Sequence, residues 1–245
     1  MLASALARCR AEAVTGVLRV AGNAGGLFHL RDGAVVAVDS PGSPGAETLL
    51  VGSGRVGAED WVAALVDSVG TRSLQAALAA RGIVGPAEAQ ALALAAVRDG
   101  AFAVAAGQVE CCDVVDDVAD GPPLPVAGGV DVDGLLSETA RRLDAVASLA
   151  VPLSPYRDRV VPGRAAAGLT PERREIVAHA TGRRNVRDLA FAVGRGLYPV
   201  TVEISRMLGE GVLEFASPVA SFSFSHGDLA TLRPRSEPSG AGRPG

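Results

Sequence analysis

Hydrophobic and polar positions along this chain follow two different periods. Between Thr15 and Ser40 they alternate: Leu18 and Val20 flank Arg19, Phe28 and Leu30 flank His29, and Val36 and Val38 continue the pattern. A period of two belongs to strands that bury one face. "AGNAGG" and "RDG" supply the turns, and Asp32-Gly33 suits a two-residue hairpin because Gly takes positive φ freely and Asp tolerates it. The stretch predicts a three-stranded antiparallel meander with one wet face, with His29 on that face as an ordinary surface histidine. From Leu169 onward the spacing changes to three and four. Ile176, Val177 and Ala180 make one apolar stripe; Val186, Leu189, Ala190 and Val193 a second; Val200, Ile204, Met207 and Leu208 a third. Thr170 before Pro171 starts the first helix, Asn185 caps the second and Pro199 opens the third. Gly194 and Gly196 allow a tight turn, Gly209 and Gly211 end the last helix, and Val212, Leu213 and Phe215 begin a strand. Helix, turn, helix, strand is the order of a winged helix-turn-helix.

The middle of the chain is helical with a weak internal repeat. "LVGSGRVGAED" aligns with "LAARGIVGPAEA", matching Leu50 to Leu78, Gly54 to Gly82, Val56 to Val84 and Gly57 to Gly85. Each copy reads as a helix end, a glycine turn, a buried valine and a new helix. Gly54 and Gly82 fit left-handed caps and Pro86 fits a first helical turn. "DGAFAVAAGQVECCDVVDD" predicts two strands joined by "AAG". The predicted class is α+β: an N-terminal antiparallel meander with a helical subdomain over residues 1–120, then a C-terminal winged helix-turn-helix over 169–225. Between them lies a Pro/Gly-rich linker, 121–168, carrying one helix over 134–150 that Asp131 or Asp133 caps. On composition, residues 226–245 form a disordered tail, and "SFSFS" before them a last strand.

Composition narrows the chemistry. All 23 basic residues are arginine, which points to a GC-rich bacterial genome and excludes a Walker-A, Schiff-base or kinase-type lysine. The three cysteines and three histidines show no CxxC or HxxxH spacing, so no metal or cofactor is expected. Cys111-Cys112 reads as strand packing in a reducing cytoplasm rather than as a redox pair. Asp113, Asp116, Asp117 and Asp120 lack EF-hand spacing and read as a solvated loop. "GSG" at 52–54 is a helix cap without the lysine of a phosphate loop. Trp61 is a core anchor, or else a ligand platform. Arg141 and Arg142 fall on an exposed helix face, where a partner contact is the alternative to plain solvation. Arg8 and Arg10 interrupt any signal peptide, and the longest apolar run, "ALALAAV", is short of a bilayer span, so no membrane contact is expected.

The first segment, "TGVLRVAGNAGGLFHLRDGAVVAVDSPGSPGAETLLVGSGRV", resembles the PatA N-terminal (PATAN) family of bacterial signalling proteins, through Gly16, Leu18, Val20, Phe28, Asp32, Gly33 and Ala37. The C-terminal stretch from Leu169, closing on "LGEGVLEF", resembles winged-helix proteins of actinobacteria, some MarR-like, others associated with roadblock proteins and Ras-like GTPases. These resemblances imply regulatory modules with no catalytic residues.

Two functions stay open on this sequence, both non-enzymatic and cytoplasmic. In the first, the chain is a transcriptional regulator and the winged helix binds DNA. Arg183, Arg184 and Arg187 would hold phosphates, and Tyr198, Thr201, Ser205 and Arg206 would face the groove. Charge favours this locally: residues 157–211 carry ten arginines against six acids, within a chain of net charge −4. The third helix, however, has one Arg and no Asn or Gln to read bases. In the second, the same module is an adaptor that holds a signalling protein, such as a roadblock or small-GTPase partner. Either reading admits a homodimer.

Overall fold

The structure, a computed structural model, describes residues 1–71, 73–115, 121–165 and 168–216. The expected tail at 226–245, the strand at "SFSFS", and Asp116, Asp117 and Asp120 lie outside the described residues.

Alternation produces strands where expected: β1 (Gly16–Asn23), β2 (Gly26–Arg31) and β3 (Ala34–Asp39). Asp32 and Gly33 both take positive φ, 50° and 78°, the geometry that matches hairpin turn to strand twist. A fourth strand, β4 (Gln108–Val115), pairs antiparallel with β1, so the sheet order is β3-β2-β1-β4. Among the described residues β4 forms one edge of the sheet. At the other edge, Val35 bridges to Val130.

The wet face is interrupted. Phe28, His29 and Leu30 are consecutive and all buried, so β2 is covered on both sides there. His29 is a buried residue whose Nε2 meets Asp39 Oδ2 at 2.8 Å, not a surface one. Strand periodicity cannot reveal this, because the cover comes from elsewhere in the chain. Helix α1 (Leu2–Ala11), which periodicity did not predict, buries Leu2, Ala5, Leu6 and Cys9 in the core beside the sheet, and its Arg10 pairs with Asp133.

The helical half follows as α2 (Ala58–Thr71), α3 (Leu74–Ala80) and α4 (Pro86–Ala106). Gly54 and Gly82 adopt left-handed φ, and Pro86 sits in the first turn of α4. Trp61 is buried in the first core, and its Nε1 has no hydrogen-bond partner among the described residues. The two-strand expectation for "DGAFAVAAGQVECCDVVDD" is corrected over its described residues: α4 runs through Ala106 and only Gln108–Val115 is strand. The reason lies in burial. Ala101 and Val104 join the first hydrophobic core while Phe102 and Ala103 join the second, so this helix end is apolar all round and loses its 3.6 period. By length and composition α4 could cross a membrane, but half of its apolar window is buried in the fold. It lies on β3 at Gly100, where a Cβ would meet Val38 Cγ1 at 2.8 Å.

Asp131 caps α5 (Val132–Ala147) by accepting from Gly134 N. The remaining elements are β5 (Val160–Pro162), α6 (Pro171–His179), α7 (Val186–Ala192), α8 (Leu197–Gly209) and β6 (Leu213–Phe215). β5 and β6 form a two-stranded antiparallel ribbon. The stretch read as the end of a linker therefore contributes a strand, and its Leu153 and Val160 are buried in the second core. The whole is a mixed α and β structure with two cores that meet at α4.

Candidate functional site

The three C-terminal helices are set by local chemistry. Thr170 Oγ1 accepts from Arg173 N at the start of α6. Asn185 and Asp188 form a reciprocal capping box on α7. Gly194, at φ 60°, turns the chain into α8. Val200, Ile204 and Met207 are buried as the spacing predicts.

The start of α8 differs from the other two. Its N-cap is Gly196, which has no side chain to satisfy the first N–H groups. The missing acceptor comes from α4. Asp99 accepts from Leu197 N through Oδ2 and from Tyr198 N through Oδ1, the latter at 2.9 Å. Ser43 donates its hydroxyl to the same carboxylate, and Arg142 Nη1 stands 3.7 Å from Oδ1. Asp99 is 3 % exposed, and burial raises its pKa against the opposing pull of these donors and Arg142. The anion also meets the positive end of the α8 dipole.

Arg142 ties the same spot to α5. Its guanidinium lies 4.8 Å from the centre of the Tyr198 ring, while Phe102 meets that ring edge-on at 5.4 Å. Arg142 Nε donates to Glu138 at 2.7 Å, and Arg141 donates to the same carboxylate, which these bonds pull down to a pKa of about 2. Of the expected pair on an exposed face, only Arg141 is exposed; the Arg142 side chain is 13 % exposed.

This packing corrects the expected groove-facing set. Thr201 is fully buried and donates to Leu197 O at 2.7 Å. Ser205 is buried and donates to Val151 O at 2.8 Å. Tyr198 is half-buried between Phe102 and Arg142. Among the four, Arg206 alone is exposed, 3.5 Å from Glu203. A helical wheel assumes one buried stripe, whereas α8 is also covered by α4, α5 and the segment at Val151. The outward strip that remains includes Arg206 with Glu203 and Glu210, both of which pair with Arg173 of α6.

The expected phosphate-holding residues are on the turn before α7 and on α7 itself, not on α8. Arg183 and Arg184 are exposed on the turn before α7; Arg184 reaches His179 Nδ1 at 2.9 Å. Arg187 is half-buried and pairs with Asp188 at 2.7 Å. On β4, Cys111 is exposed and Cys112 half-buried, with its pKa raised by burial. Among the described residues, no group of three or more His, Cys, Asp or Glu is arranged to hold a metal ion. No local signal in the sequence marks Asp99: it caps a helix 98 residues further along the chain.

Comparison with protein-family models, curated proteins and solved structures finds no match to this chain.

Proposed function

We propose that this chain is a non-enzymatic bacterial regulatory adaptor. In this reading a PATAN-like sheet module is clasped to a winged-helix module that holds a signalling protein instead of reading DNA. The observation that carries it is the occupied N-terminus of α8. That end of a recognition helix normally approaches base edges. Here its N–H groups are taken by Asp99, its Tyr198 is clamped by Arg142, and Thr201 and Ser205 are buried. The exposed strip, where Arg206 and Arg173 are matched by Glu203 and Glu210, offers no net positive charge to attract phosphate. The order α6, α7, α8, β6, with the β5–β6 ribbon beside it, supports the winged-helix assignment. A roadblock or small-GTPase protein is the class of partner that the C-terminal resemblance suggests. The reading includes a cytoplasmic location.

The competing reading, a transcriptional regulator, draws on the exposed Arg183 and Arg184 and on the local excess of arginine. Fluorescence anisotropy with a selected and a mixed-sequence duplex separates the two. The adaptor reading expects only weak binding that both duplexes share and that disappears at moderate salt. A selected duplex held about 100-fold more tightly than the mixed one, and weakened by Arg206→Ala, would sink the adaptor reading.

A further inference from the structure

A cleft of about 620 Å³ opens where the two cores meet, between the turn after Leu49, α4, α5 and the α7–α8 turn. Its volume lies in the range of small-molecule sites. The apolar part is made by Leu49, Leu92 and Pro199. The charged part is made by Arg55, Arg142 and Arg195 against Asp99 and Glu172, leaving the lining cationic by one.

The donors decide what could enter. The N–H groups of Leu197 and Tyr198, at the α8 end of the cleft, are already held by Asp99. Ser53 spends its hydroxyl on Leu49 O and Leu50 O. The strong donors left are guanidinium groups. Arg55 has the loosest ion pair of the three, 3.9 Å from Glu88, with 59 % of its side chain exposed. Arg195 gives Nη2 to Glu175 at 2.8 Å and Nη1 only a long 3.5 Å contact to Glu172 O. Glu172, the rim acid, is engaged with its own backbone N–H and the Thr170 hydroxyl, which hold its pKa down. Two arginines with spare donors, above an apolar floor, fit a ligand that is acidic at one end and apolar at the other.

We infer that this junction cleft is a binding site for a small organic anion with an apolar body, a carboxylate, sulfonate or phosphate monoester, held by Arg55 and Arg195 over Leu49, Leu92 and Pro199. Such a ligand touches residues of both halves at the seat of α8, so its binding stabilises that seat. The inference goes beyond the adaptor reading and does not depend on it.

The probe is 8-anilino-1-naphthalenesulfonate, an aromatic anion whose emission rises on leaving water, titrated into the full chain. One saturable site is expected. The double substitution Arg55→Gln, Arg195→Gln weakens it at least tenfold, and the uncharged N-phenyl-1-naphthylamine binds at least tenfold more weakly than the sulfonate. Ala95→Phe, at an exposed α4 position lining the cleft, leaves the arginines in place and abolishes binding by filling the space. It serves as the second variant should the double substitution fail to fold. Val66→Ser, on the exposed apolar side of α2, leaves binding unchanged. Absence of a saturable site, equal binding by the neutral probe, unchanged binding in Ala95→Phe, or loss of binding in Val66→Ser would each overturn the inference.

Discussion

Asp99 joins the two halves through its side chain. Removing its carboxylate leaves two backbone N–H groups, one buried and one part-buried, without an acceptor, and Arg142 with only Glu138 as ion-pair partner. Asp99→Ala is therefore expected to cost about 3 kcal/mol or more in urea unfolding, while Asp99→Asn, which keeps one acceptor oxygen, costs less. The pH dependence has a definite sign. Burial raises the folded pKa of Asp99 above its unfolded value. Above about pH 4 the unfolded chain has begun to lose a proton that the folded chain still holds, so stability from this group falls as pH rises through the window. The advantage of wild type over Asp99→Asn should shrink as the pH of the unfolding series is raised. Glu138 has the opposite sign. Its folded pKa is lowered to about 2, so its contribution is complete above the unfolded carboxylate range and is lost on acidification toward that value. Glu138→Gln should cost about 1 kcal/mol at neutral pH, because the pair is partly solvated, and nothing in strong acid.

At the scale of elements, the contact of α4 with β3 is sensitive to volume. Gly100 is a poor helix residue, and alanine there would gain about 1 kcal/mol in propensity. Yet the added Cβ would press on Val38 at 2.8 Å, and overpacking of that kind costs about 1–3 kcal/mol. Gly100→Ala should lower the melting temperature, and adding Val38→Ala should recover part of the loss; simple additivity of the two substitutions would contradict this account. Much of the element pattern was legible in sequence because it is locally encoded. The Asp32-Gly33 turn, the Thr170 and Asn185 caps and the Gly54 and Gly82 turns each carry their own geometry within four residues. The end of α4 was not legible, since burial on all sides erased its period. Nor was the exposure of α8: Thr201 and Ser205 are covered by parts of the chain that no wheel drawn on the helix alone contains.

For the molecule as a whole, the shared helix makes the two halves inseparable. Phe102 and Ala103 of α4 lie inside the second core, and Asp99 caps α8. A fragment of residues 121–216 lacks all three and should show no cooperative thermal transition, whereas residues 1–216 should melt once, with circular dichroism and Trp61 fluorescence coincident. Two separate transitions would show that the cores fold independently. The candidate site at their junction was invisible in sequence for the same reason: Arg55, Asp99, Arg142 and Arg195 come from four distant segments.

The edge strand bears on how many copies associate. Among the described residues β4 has β1 on one side and no strand on the other, which makes that edge a template for sheet growth. In a two-fold pairing centred between Cys111 and Cys112, Glu110 of one copy would face Asp113 of the next, and like charges placed opposite each other oppose that register. A dimer that uses another surface, or β4 slid out of that register, avoids this opposition.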